Sequence, residues 1–115
     1  RENGTDMSIT RLAFFEGRIK DGCTEAFDRY LEEQLVPLWT RFPGAVAVRL
    51  HREVDRDEGA PPLPLLLSIT YESEDAMREA LQSDVRMRSR EVTKGLFDYF
   101  DGRIYHVNAT PYDRT

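Results

Sequence analysis

Two histidines, His51 and His106, and the polar residues spaced around them are the part of this 115-residue chain best suited to chemistry. His106 stands in the middle of a strand-like run over residues 103–108. Asn108 follows two positions on, a spacing that puts both side chains on one face of a strand. A neutral imidazole there could take a proton as general base or orient a carbonyl group, with Asn108 as a second polar contact. The plainer use is a histidine hydrogen-bonded at an interface. His51 shares its strand face with Arg49 and lies nearer a strand end, beside Arg52 and Glu53, which favours an exposed position. Arg11, Ser68 and Thr70 are the other polar residues on strand patterns. Tyr30, Trp39, Tyr99 and Tyr105 could line an aromatic pocket or simply fill core and interface. His106 and Asn108 are therefore the candidate catalytic residues, and Arg49, His51, Thr70, Tyr30 and Trp39 the candidate ligand contacts.

Other chemistries have weaker signals. Cys23 is the only cysteine, so neither an internal disulfide nor a cysteine-based zinc site can form, which fits a reducing cytoplasm. It precedes a helix start, where the dipole lowers a thiol pKa, but no histidine is close in sequence to support a nucleophile. Two histidines on different strands with scattered acids make no metal-ligand spacing. The run Asp55, Arg56, Asp57, Glu58, Gly59 has the look of a calcium loop but lacks the remaining ligands and the closing glutamate, so it reads as an exposed connection. Residues 86–90, with three arginines flanked by Asp84 and Glu91, read as a solvated helix face rather than an anion site. With 16 basic against 21 acidic residues, a net charge of −5 and a pI near 5.0, no nucleic-acid partner is expected. No apolar run approaches the roughly 18 residues of a membrane span, and no secretory signal is legible.

The elements that must position these residues follow from periodicity. Residues 9–15 are rich in β-branched and aromatic types and end at Glu16-Gly17, which predicts a first strand followed by a polar connector. Thr24 is a candidate N-cap, and Phe27, Leu31, Leu35, Leu38 and Phe42 make one buried helical stripe. Pro37 inside that stripe predicts a kink, and Pro43-Gly44 a stop. A second strand alternates from Ala45, with Val46, Val48 and Leu50 on one face and Ala45, Ala47, Arg49 and His51 on the other. Leu65–Tyr71 is the most hydrophobic strand and reads as central. Ser73 caps a short helix with Ala76, Met77, Ala80 and Leu81 inward. Ser83-Asp84 breaks it and caps another, whose stripe runs Val85, Ser89, Val92, Leu96, Phe100 to a stop at Asp101-Gly102. The order β-α-β-β-α-β predicts a single α+β, ferredoxin-like domain from residue 7 onward, a four-stranded antiparallel sheet with helices on one face. Residues 1–6 read as a polar, disordered leader or expression remnant.

With these elements placed, the chain resembles the dimeric α/β-barrel superfamily, and within it the EthD-like (ethyl tert-butyl ether degradation) proteins, with antibiotic-biosynthesis monooxygenases as cousins. The resemblance rests on Phe27-Asp28-Arg29-Tyr30-Leu31-Glu32-Glu33, Val36-Pro37-Leu38, Phe42-Pro43-Gly44, and Tyr71-Glu72-Ser73-Glu74-Asp75-Ala76-Met77. It implies a homodimer formed through sheet faces and a cleft between each sheet and its helices. It also implies a small hydrophobic ligand and, for activity, a cofactor-independent oxygenase, isomerase or lyase. EthD-like members commonly carry a histidine shortly before the proline of the first helix. Leu35 takes that place here, so no role of that histidine carries over, and a non-catalytic binding or accessory protein is the alternative. Haem-degrading cousins use a histidine from a helix, and the helical segments here have none, so no cofactor is expected. A cleft filled by Phe14, Leu38 and Leu96 would instead make the protein a purely structural dimer.

Overall fold

β-Branched and aromatic residues at alternating positions build the sheet. In the computed structural model, which describes residues 7–112, β1 (Ile9–Ile19), β2 (Ala45–Arg52), β3 (Leu65–Tyr71) and β4 (Phe100–Ala109) pair antiparallel in the order β2-β3-β1-β4. The helical layer comprises α1 (Thr24–Tyr30), a π-helical turn at Leu31–Leu35, α2 (Val36–Trp39), α3 (Glu74–Leu81) and α4 (Asp84–Leu96). This is the expected ferredoxin-like arrangement. The leader expected over residues 1–6 lies outside the described residues.

One sheet face carries the core. Ala13, Phe15, Leu67, Ile69 and Tyr71 are buried against Phe27, Leu31, Leu35, Trp39, Met77, Ala80 and Leu96. The helical stripe Phe27, Leu31, Leu35, Leu38 and Phe42 is buried throughout, each such side chain contributing roughly 1.5–3 kcal/mol of transfer free energy. Ser73 Oγ accepts from the Ala76 amide and Ser83 Oγ from the Arg86 amide, so both expected caps form, each stabilising its helix by about 1 kcal/mol.

Local detail sharpens some of these expectations and corrects others. Pro37 lacks the N–H that would bond back to residue 33, and the helix responds with a widened turn in which the Val36 amide reaches Leu31 O. Thr24 is already helical; Cys23 holds the cap position and makes no side-chain cap bond. The first strand does not stop at Gly17, nor the last helix at Gly102. The two glycines face each other across the β1–β4 ladder, and both strands run through them. A Cβ on Gly17 would lie 2.2 Å from the Asp101 carbonyl oxygen, and one on Gly102 2.1 Å from that of Glu16. Gly17 also holds φ at +144°, a conformation that L side chains rarely adopt. The glycines thus mark close backbone approach rather than breaks. Phe100 accordingly opens β4 instead of closing α4. In β2 a bulge between Ala45 and Ala47 shifts the register, so Ala45 turns to the core and Val46 is left 56% exposed.

Candidate functional site

The helices do not cover the sheet completely. Between α2, α4 and the strands lies a pocket of about 390 Å³ that opens to solvent. Its walls are apolar: Ala13 and Phe15 from β1, Leu67 and Ile69 from β3, Ile104 from β4, and Trp39, Phe42 and Leu81 from the helical side. Its polar groups gather from four elements. β1 supplies Arg11, β3 Tyr71, β4 His106, and α4 the series Arg86, Ser89, Arg90 and Thr93. Those last four recur at i, i+3, i+4 and i+7, the spacing of one helix face.

His106 faces Ala13 across the ladder and therefore looks into the pocket, as its strand position suggested. His106 is exposed in the single chain, yet the protein packed around it, followed by the positive charges of Arg11 and Arg86, pulls its pKa down to about 4. It is a neutral imidazole at neutral pH. Tyr71 is fully buried, and its hydroxyl is the one buried side-chain polar atom among the described residues that lacks a hydrogen-bond partner. Burial pushes the Tyr71 pKa up, with Arg11 and Arg86 pulling the other way. Both arginines are half-buried and have pKa values below the ordinary one, chiefly through burial. Arg11 Nη1 donates to Asn108 Oδ1 at 3.0 Å and Arg86 Nη1 to the Leu81 carbonyl at 3.1 Å. Neither forms an ion pair with a carboxylate among the described residues.

The other sequence candidates divide. Trp39 lines the pocket. Asn108 shares the His106 face but touches the site only through Arg11. Tyr30 lies elsewhere, stacked obliquely on Tyr99 with its hydroxyl donating to the Val92 carbonyl at 2.7 Å, a tie between α1 and α4. Arg49, His51 and Thr70 point to the opposite sheet face. Arg49 pairs with Ser68, His51 with Leu66, and Thr70 Oγ1 meets Thr10 Oγ1 at 2.8 Å. The two-residue side-chain period puts all three on the face that Leu67 and Ile69 do not occupy. Phe14 is on that open face too, stacked on Tyr105 at 5.1 Å, and does not plug the pocket. Arg86 corrects the solvated-face reading of residues 86–90, since it turns toward the sheet with Ser89 and Arg90 beside it. Tyr71 went unsuspected because it shares its strand face with Leu65, Leu67 and Ile69 and reads as one more core residue.

Leu35 is fully buried in the core, so the first helical segment gives the pocket no titratable group. Among the described residues no cluster of three or more His, Cys, Asp or Glu side chains is placed to hold a metal. None of the described helices is long and apolar enough to cross a membrane.

Solved structures share this architecture over nearly its whole length. An ethyl tert-butyl ether degradation (EthD) family protein from Bacillus halodurans superposes with a TM-score of 0.70 at 17% identity, covering 92% of this chain and 100% of that one. The chain has the fold of this EthD family protein. SnoaB, a cofactor-independent oxygenase from Streptomyces nogalater, matches at TM-score 0.64 and 20% identity over 93% of this chain and 95% of its own. A candidate antibiotic biosynthesis monooxygenase from Nitrosomonas europaea matches at TM-score 0.65 and 13% identity, covering 93% and 92%. No family model matches the sequence, and no curated protein does. The likeness is one of EthD-like fold.

Proposed function

We propose that this EthD-like chain is a small cofactor-independent enzyme of the oxygenase, isomerase or lyase type, acting on a small hydrophobic, oxygenated compound held in the pocket. The observation that carries the reading is the pocket itself: apolar walls, an open mouth, and a neutral His106 at its polar end. The imidazole would accept a proton from a carbon or hydroxyl acid next to a carbonyl, while Arg11, Arg86 and the Tyr71 hydroxyl stabilise the resulting oxyanion. Loss of that proton opens isomerisation, elimination or oxygenation by dioxygen alike. The solved structure of a cofactor-independent oxygenase with the same fold supports the class.

Turnover tests this directly. Candidate phenols and ketones incubated with the protein, with dioxygen uptake and product formation followed, should show conversion that His106→Ala abolishes. A ligand that binds and is returned unchanged by both proteins would favour the second reading, a non-catalytic binding protein. That alternative draws support from the fully buried Leu35, which leaves the first helical segment without a titratable group at the pocket.

We also read the open sheet face as the contact with a second copy. Leu12, Phe14, Leu66, Tyr105 and Val107 form an apolar strip on it, and Val107 is 44% exposed in the single chain. A cytoplasmic setting fits the lone Cys23.

A further inference from the structure

The polar end of the pocket has an imbalance that the proton-accepting role of His106 does not use. Two half-buried guanidiniums, Arg11 and Arg86, stand with a buried, unpartnered Tyr71 hydroxyl and no carboxylate partner, and Arg90 adds a third positive charge on the same wall. Desolvated cations and orphaned donors are costly unless something completes them. The groups that would complete these are acceptors bearing negative charge. Each arginine keeps donors beyond the single neutral acceptor it already engages, because a guanidinium carries five. The walls beyond this end are aromatic and aliphatic, so the rest of the ligand must be apolar.

We infer that the pocket takes its ligand as an anion: an apolar, aromatic-sized body with one oxyanion lodged between Arg11 and Arg86 and accepting a hydrogen bond from Tyr71. This rests on reading the pocket as the ligand site, and it adds the charge state in which the ligand is selected. The oxyanion is a carboxylate or an ionised phenol or enol, chemistries that share the same recognition. His106, on β4 beside this end, stays uncharged while the pocket is empty. A bound anion offsets the two arginine charges that the imidazole feels, so the His106 pKa rises on binding.

The test compares naphthoate, its neutral isostere naphthamide, and dinitrophenolate, titrated calorimetrically into the protein at neutral pH. Naphthoate should bind about tenfold or more tighter than naphthamide. Tyr71→Phe and Arg86→Met should each reduce that preference about threefold or more, weakening naphthoate more than naphthamide. Both substitutions are mild: one removes a hydroxyl that nothing satisfies, the other keeps the apolar stem. Naphthoate, but not naphthamide, should move the His106 titration to higher pH in a proton NMR experiment. Whichever of naphthoate and dinitrophenolate binds more tightly identifies the oxyanion source, and either order supports the inference. Equal affinity for acid and amide overturns it and leaves the pocket as a neutral ligand site. If no probe binds and no His106 resonance moves, the pocket reading fails and the inference with it.

Discussion

Arg11 Nη1 donates to Asn108 Oδ1 at 3.0 Å, at a rung of the β1–β4 ladder where the two residues directly face each other. Asn108 thereby aims a pocket cation without lining the pocket, which makes it a positioning residue. Asn108→Ala should weaken naphthoate binding about threefold and leave the melting temperature unchanged, because the bond is exposed. Asn108→Asp should hold Arg11 more firmly but cancel its charge, lowering naphthoate affinity by about tenfold. Calorimetry and thermal denaturation check both. Unchanged affinity in both variants would remove this pair from any part in binding.

His106 gives a pH signature with a definite sign. Its pKa is about 4 in the folded chain, against about 6.5 in the unfolded one. Between those values the unfolded chain binds the extra proton, so stability falls as pH drops from about 6.5 towards 4, and this contribution is flat above that window. Glu53, held below its ordinary pKa mainly by the Leu63 amide, is lost at the acid end in the same direction. His106→Ala should flatten the window and abolish ligand binding or turnover with the fold and the assembly state unchanged, while His51→Ala does little. A His106→Ala protein that dissociates or unfolds, with ligand affinity per folded molecule unchanged, would make the residue structural.

The facing glycines make a backbone prediction. Gly102→Ala would force a methyl group to within 2.1 Å of the Glu16 carbonyl oxygen and 2.8 Å of both Gly17 Cα and the Phe100 ring, so the backbone itself must shift. The expected cost is about 2–4 kcal/mol, read as a lowered denaturant midpoint with an unchanged slope. A change below about 0.5 kcal/mol would show that the strands part easily there.

Much of this was legible in the chain. The bounds of β3, the caps at Ser73 and Ser83 and the buried stripe from Phe27 to Phe42 follow from alternation, local hydrogen bonding and helical period, which short segments encode. The misses depend on partners distant in sequence. Gly17 and Gly102 read as stops because a lone glycine does not reveal that another lies opposite. The register shift at Ala45 and Ala47 depends on β3. The arginines of residues 86–90 look like a solvated face until the sheet leaves a gap beneath Arg86, Ser89, Arg90 and Thr93. Their spacing was a usable signal, since a polar stripe at helical period names the face that turns toward a wet pocket. His106 and Trp39, singled out as a polar residue mid-strand and a tryptophan on an amphipathic helix, both border the pocket. Arg49, His51 and Thr70 were drawn from the other sheet face, where polarity needs no pocket to explain it.

That other face carries the assembly prediction. Light scattering at micromolar concentration should return twice the 13.4 kDa of one chain. Val107→Asp should return the single-chain mass with the circular dichroism spectrum preserved. A wild-type mass of one chain would end the dimer reading.

The most direct test of the pocket as the ligand site is a backbone and side-chain NMR shift map recorded while naphthoate is added. The account predicts saturable shifts confined to pocket residues such as Ala13, Ile69, Leu81, Thr93 and His106, with Leu12, Ser68 and Val107 on the opposite sheet face unmoved. Shifts centred on that opposite face, with the pocket residues silent, would contradict it.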